Sequence, residues 1–321
     1  NNNSGGLKPV TDDDLAVLAG LGRLEMVVFS KLGITPAALD VLRTCPSLDE
    51  ISLQYNQLGD ELWPHLQGIK LKKLAQGYDD LPVLGLGISQ LYRDSMVDLW
   101  LNSTEIGDAA LPEIAGFTNL TTLNLSETKV TDAGMASLVP LRKLKLLHVF
   151  GTDVTVNGLR ALKGTPIESL GYSRNLTEFI SLLPELAALF PELKKLHLPR
   201  GAAPVMEDWK AIAAILPTLE NLEIRSPTFT DENCNGMELL PNLTNVFFYD
   251  APLGDSGLAT LAKARKLRRI EIPAARITDI SLATLAEMRS LKELVLPKSD
   301  NGLTAAAIEK FKGDRPDVIV L

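Results

Sequence analysis

The sequence predicts an α/β fold: a solenoid of about thirteen short coils, each giving one strand to a parallel inner sheet and a short helix to the opposite side. Three observations predict it. An apolar-x-apolar step returns about every 24 residues, and a Thr-Asp step follows it at a fixed distance. A unit of that length is too short to bury its own apolar face, so the units must stack strand beside strand and helix beside helix.

The strand element is clearest at Leu123-Asn124-Leu125, whose alternation has the period of two that a strand requires. The same step recurs at Val27, Ile51, Leu74, Leu99, Leu147, Leu170, Leu196, Leu222, Val246, Ile270, Leu294 and Val318, mostly 24 residues apart and otherwise 23, 25 or 26. The helix element opens at Val130-Thr131-Asp132, where Thr131 can cap free backbone N–H groups. Val130 and Met135 flank that cap at the spacing of a hydrophobic staple. The pair returns at Val10/Leu15, Ile34/Leu39, Ile106/Leu111, Val154/Leu159, Leu253/Leu258, Ile277/Leu282 and Leu303/Ile308. Thr35-Pro36 puts proline at the first helical position, where its missing N–H costs nothing. The expected core of the best copy is Leu123, Leu125, Val130, Met135 and Leu138.

Composition narrows the function classes. The chain has 321 residues, 45% of them hydrophobic, which is ample for a buried core. Its longest apolar runs, such as Leu182 to Phe190, are broken by Pro184 and Glu185, so no transmembrane segment is expected. A formal net charge of -8 lacks the excess of Lys and Arg that a nucleic-acid binder needs. The chain opens Asn-Asn-Asn-Ser-Gly-Gly without Met, and a removed signal peptide or tag is expected upstream. Residues 1–9 are expected to be a flexible leader and residues 10–321 a single repeat domain. An extracytoplasmic or secreted location is expected.

These repeats resemble the leucine-rich-repeat superfamily over residues 10–321, and the Thr-Asp-x-Gly-Leu step is similar to its short bacterial class. Cys45-Pro46-Ser47-Leu48 is also similar to the cysteine-containing repeats of F-box proteins, but no F-box-like helical pattern stands ahead of the repeats in this sequence. The resemblance implies a right-handed horseshoe with the parallel sheet on its concave side. It implies little about function, because the superfamily serves receptors, effectors, inhibitors and structural proteins alike. The pattern departs in three places. Residues 74–98 blur the motif around Pro82, longer amphipathic helices are expected over Leu176 to Phe190 and Val205 to Leu216, and the inward turn position changes. It is held by Asn56, Thr104, Thr128, Thr152 and Asn175 and then by Gly201, Pro227, Ala251 and Ala275, so the second half should turn differently.

No Ser-His-Asp set, phosphate loop or paired-carboxylate motif stands at a diagnostic spacing, so no catalytic residue, cofactor or metal is expected. Cys45 and Cys234 fall on core positions of the repeat and should be buried thiols too far apart to bridge. The Asn-Leu-Thr triplets at Asn119, Asn175 and Asn242 match the glycosylation sequon but arise from the repeat itself, so they carry almost no information about secretion. The informative residues are those that the strand pattern points away from the core. Across coils four to ten they are Trp100, Asn102, His148, Phe150, Arg174, His197, Arg200, Arg225, Phe247, Tyr249 and Asp250. Aromatic residues and arginine dominate interface hot spots, and a chain with few aromatics places several of them here.

The expected function is therefore non-catalytic recognition of another protein or peptide through the concave sheet face. The arginines favour an acidic partner. A structural or envelope scaffold and a carbohydrate-binding repeat protein remain as alternatives, and the chain is expected to be a monomer.

Overall fold

The computed structural model of the chain describes residues 10–56, 58–78, 87–88, 91–172, 175–297 and 302–321. The chain divides into two compact units, Asn1–Pro166 and Ile167–Leu321. In the first, β1 (Met26–Val28), β2 (Glu50–Ser52), β3 (Lys73–Ala75), β4 (Asp98–Trp100), β5 (Thr122–Asn124) and β6 (Leu146–His148) each pair in parallel with the next. In the second, β7 (Ser169–Gly171), β8 (Lys195–His197), β9 (Asn221–Ile224), β10 (Asn245–Phe248), β11 (Arg269–Glu271), β12 (Glu293–Val295) and β13 (Ile319–Val320) do the same. The α/β solenoid expected from the sequence is thus what forms.

The register follows the apolar step. Leu99, Leu123 and Leu147 lie opposite one another in the first unit. Leu196, Leu222, Val246, Ile270 and Leu294 do so in the second. All eight are buried, as are Leu125, Val130, Met135 and Leu138. One register position needs correction. Leu294 pairs with Val320 and not with Val318, because the intervening coil spends its extra residues on a ten-residue helix, α9 (Ala305–Asp314). The 26-residue spacings into Leu196 and Leu222 likewise accommodate α5 (Leu176–Leu189) and α6 (Met206–Ile215), where longer helices were expected. Shorter coils hold one or two turns, as in α1 (Leu62–Leu66), α2 (Leu111–Ile114), α3 (Asp132–Met135), α4 (Val156–Leu159), α7 (Asp255–Leu261) and α8 (Asp279–Ala286).

The Thr-Asp step has a physical purpose. Thr131 caps α3 by accepting from the Ala133 N–H, and where an Asp opens the helix it reaches into the next coil. Asp108 accepts from the backbone N–H and hydroxyl of Thr131, and Asp132 does the same for Thr155. In the second unit Asp255 clamps Thr278, and Asp279 clamps Thr304. In the first unit a glycine three places after the clamped Thr leaves room for the clamp. A Cβ on Gly134 would lie 2.3 Å from Asp108 Oδ1, and one on Gly158 would lie 2.5 Å from Asp132 Oδ1.

The two units leave their strands differently, as the changed turn residues lead one to expect. In the first, Lys31, Tyr55, Tyr78, Ser103, Glu127 and Gly151, each four residues after a core strand position, adopt left-handed backbone. Tyr55, Ser103 and Glu127 there donate an N–H to the carbonyl of the next coil. Among the described residues of the second unit's strand exits, only Gly201, five residues after Leu196, has positive φ. Asn175 is exposed and caps α5 by accepting from the Glu178 N–H, so it does not hold the inward turn position assigned to it. A helix start has displaced the turn. The blurred stretch around Pro82 lies outside the described residues.

Cys45 and Cys234 are free and buried. No helix among the described residues is long and apolar enough to cross a membrane.

Candidate recognition surface on the strand face

In a strand, residues on either side of a buried core position project together to the opposite face. In the first unit this brings together Trp100, Asn102, His148 and Phe150. The Trp100 and His148 rings meet edge to face at 6.0 Å, although Asn124 of β5 stands between them, and His148 lies 5.6 Å from Phe150. Trp100 Nε1 donates to Asp98 Oδ1 at 2.6 Å. Burial nevertheless pushes the Asp98 carboxyl above its ordinary range. Below the rings Asn102, Asn124 and Ser126 form a polar floor, with Asn124 Nδ2 donating to Asn102 Oδ1 and Asn124 Oδ1 accepting from the Ser126 N–H.

The second unit carries a charged and aromatic network on the same kind of face. Glu223, on β9, is its hub. One carboxylate oxygen accepts from Arg225 Nε at 2.9 Å, and the other lies 3.0 Å from His197 Nδ1 and 3.6 Å from Lys195 Nζ. The far ring nitrogen of His197, Nε2, lies 3.3 Å from Ser169 Oγ. Burial holds His197 below its ordinary pKa, so the neutral ring donates from Nδ1 to Glu223 and accepts from Ser169 at Nε2. Burial pushes Glu223 the other way, but the donors from His197 and Arg225 and the Lys195 charge outweigh it and hold the carboxyl at about 2.

Aromatic rings form the rest of this surface. Phe247 and Tyr249 stack with centroids 6.5 Å apart. The Arg225 guanidinium lies 4.2 Å from the Tyr249 centroid, while Lys195 Nζ and the Arg269 guanidinium each lie 5.5 Å from that of Phe247. Arg269 is itself bound to Glu271 and lies 3.1 Å from Glu293. The exposures decide what a partner meets. Side chains of Arg225, Arg269 and Lys195 are 54%, 36% and 30% exposed, against 10% for Glu223 and 15% for Glu271.

A family model described as Leucine Rich repeat matches residues 118–139, the copy that carries the clearest pattern. Among solved structures, a chain of the yeast Rad7 and Elc1 complex shares 18% identity at a TM-score of 0.65, covering 97% of this chain and 84% of that one. The chain has the leucine-rich-repeat fold. An internalin of Listeria monocytogenes is also similar, at 18% identity, a TM-score of 0.42, and coverage of 83% and 72%. The mouse RP105/MD-1 complex gives 16% identity, 0.46, and coverage of 92% and 55%. No curated protein matches the sequence.

Within this leucine-rich-repeat chain the residues picked out from sequence divide into groups. Trp100, Asn102, His148 and Phe150 come together in the first unit, and His197, Arg225, Phe247 and Tyr249 in the second. Arg200 and Asp250 are exposed at strand-exit turns, and Arg174 lies outside the described residues. The expectation that outward strand positions are open to solvent is corrected for Asn102, His148 and His197, which are buried. Neighbouring strands stand only about 4.8 Å apart, so long side chains on adjacent coils roof the shorter or central ones. Lys195, Arg269 and Ser169 were missed. They precede the core position of their strands, and the parity that turns Phe247 outward after Val246 turns them to the same face, where Lys195 and Arg269 are part-exposed and Ser169 is buried.

Ser169, His197 and Glu223 stand in the hydrogen-bond order of a nucleophile, base and orienting carboxylate. The sequence carried no sign of this, because the three lie on successive coils with no motif spacing. All three are buried. Among the described residues no group of three or more His, Cys, Asp or Glu could hold a metal ion.

Proposed function

We propose that the chain is a non-catalytic binding module that takes an acidic segment of another protein or peptide on the strand face of its second unit. One observation carries the reading: the cations of this face stand out over aromatic rings while their carboxylate partners are sunk between the strands. A cation on an aromatic face is held at little entropic cost and keeps its outer N–H groups for a ligand. Aromatic and arginine side chains of this kind are the usual anchors of protein interfaces. The fold is compatible with such a role, since a chain of similar fold was determined within the yeast Rad7 and Elc1 complex.

The Ser169–His197–Glu223 chain is assigned to positioning. A nucleophile must reach its substrate, and Ser169 Oγ is covered, while Glu223 spends its other oxygen on Arg225. A fluorophosphonate probe should therefore leave Ser169 unlabelled. Labelling that is lost in Ser169→Ala would make the chain a hydrolase instead.

The binding reading is tested with an Arg225→Ala, Phe247→Ala, Tyr249→Ala triple variant whose unfolding midpoint has been checked. A partner isolated on the parent protein, purified and titrated by calorimetry, should lose at least about a hundredfold in affinity. Equal affinity for parent and variant would move the site off this face.

A further inference from the structure

We infer that Arg225 is a carboxylate fork, presenting its two terminal nitrogens end-on to an Asp or Glu side chain of the bound segment. The inference rests on the proposed binding function and specifies the contact at its centre.

Arg225 differs from the other cations of the face in what it has left to offer. Arg269 spends both edges of its guanidinium, with Nε and Nη2 on Glu271 and Nη1 near Glu293. Lys195 is a point charge without a planar edge. Arg225 uses only Nε, on Glu223, and lies over the Tyr249 ring. Its Nη1 and Nη2 make no hydrogen bond among the described residues, and the side chain is half exposed. One edge and one face are thus fixed, and the opposite edge is open.

The fixing is built across four strands. Ser169 on β7 meets His197 on β8, His197 holds one oxygen of Glu223 on β9, the other oxygen holds Arg225 Nε, and Tyr249 after β10 supports the guanidinium plane. Each link removes a freedom that Arg225 would otherwise lose on binding, which is how preorganisation raises affinity. A carboxylate matches the open edge with two parallel charge-assisted hydrogen bonds. A doubly charged phosphate matches it less well, because Glu223, bonded to the same guanidinium, repels a dianion more than a monoanion. Arg200, exposed on the neighbouring turn without a partner among the described residues, adds general attraction but is not held.

The test titrates the intact protein with three end-blocked peptides: hexaglutamate, hexaglutamine, and a serine peptide bearing one phosphate. The parent should bind hexaglutamate most tightly. Arg225→Lys keeps the charge and loses the fork, and should weaken hexaglutamate binding about tenfold or more. Glu223→Gln makes the site more positive and should nevertheless weaken binding severalfold, since the guanidinium is released; attraction by charge alone predicts the opposite sign. If Arg225→Lys and Glu223→Gln bind at least as well as the parent while Arg225→Ala and Tyr249→Ala bind worse, the fork is wrong and the binding face stands. If the parent ignores hexaglutamate, or Arg225→Ala and Tyr249→Ala bind it as the parent does, the acidic-segment reading falls and the fork with it. Tighter binding of the phosphopeptide would overturn the choice of carboxylate.

Discussion

At the scale of single residues, the buried His197–Glu223 pair makes the second unit sensitive to acid, and the sign follows from the directions of shift. His197 is held below its ordinary value of 6.5 by burial, so the fold favours its neutral form. Its contribution is complete above about 6.5 and declines as pH falls below that value. Glu223 is held at about 2, against an ordinary 4.5, so its contribution is complete above 4.5 and is lost as pH falls towards 2. Urea midpoints of the second unit should therefore fall steadily from neutral pH to about pH 3, and His197→Gln should flatten the upper part of that slope. A midpoint that rises on acidification would contradict the assignment. The thiols give a simpler check. Burial pushes Cys234 up to about 12 and Cys45 is buried, so neither should react with a thiol reagent until the chain unfolds. Rapid labelling of Cys234 in the native state would show that its coil opens.

At the scale of elements, the Asp clamps tie one helix start to the next. Asp255 accepts from the Thr278 N–H and hydroxyl and from the Ser281 hydroxyl. Burial pushes its carboxyl up, and those donors outweigh it and hold it below its usual range. Asp255→Ala should cost about 1–3 kcal/mol, read as a lowered urea midpoint at unchanged slope. Gly257→Ala should cost a similar amount, because its Cβ would lie 2.5 Å from Asp231 Oδ1 and displace the carboxylate that holds the Gly254 N–H. A neutral Gly257→Ala would show that this clamp is dispensable. The strands and helix starts were legible in the sequence because each repeats the same apolar and capping residues. The last register was not, since Val318 and Val320 are both apolar and only the length of α9 chooses between them. The face was half legible. Val246 marks Phe247 and Tyr249 as outward by parity, but whether an outward residue is open depends on side chains one coil away, which no single repeat shows. His197 is covered for that reason, and the contacts of Arg225 with Glu223 and Tyr249 join different coils or opposite sides of a core residue.

At the scale of the whole chain, stability comes from core positions repeated coil after coil, each unit depending on its neighbours. Leu147 is fully buried on β6, so Leu147→Ala should cost about 2–5 kcal/mol. A change within about half a kcal/mol would contradict the burial assigned to it. The chain as a whole is acidic, with a net charge of -8, and the cations over Phe247 and Tyr249 run against that background. Cations that stand out from such a patch select a partner by contact within a Debye length of about 8 Å, where the distant charges are screened. If this patch touches another protein, site-specific photo-crosslinking in the native host captures the contact. Benzoylphenylalanine is placed at position 247, on the strand face, and in a second strain at position 309, exposed on α9. The account predicts a discrete protein adduct from position 247 that disappears when Arg225 is also changed to Ala, and none from position 309. An adduct from position 309 alone, or one from 247 that survives the loss of Arg225, would contradict it.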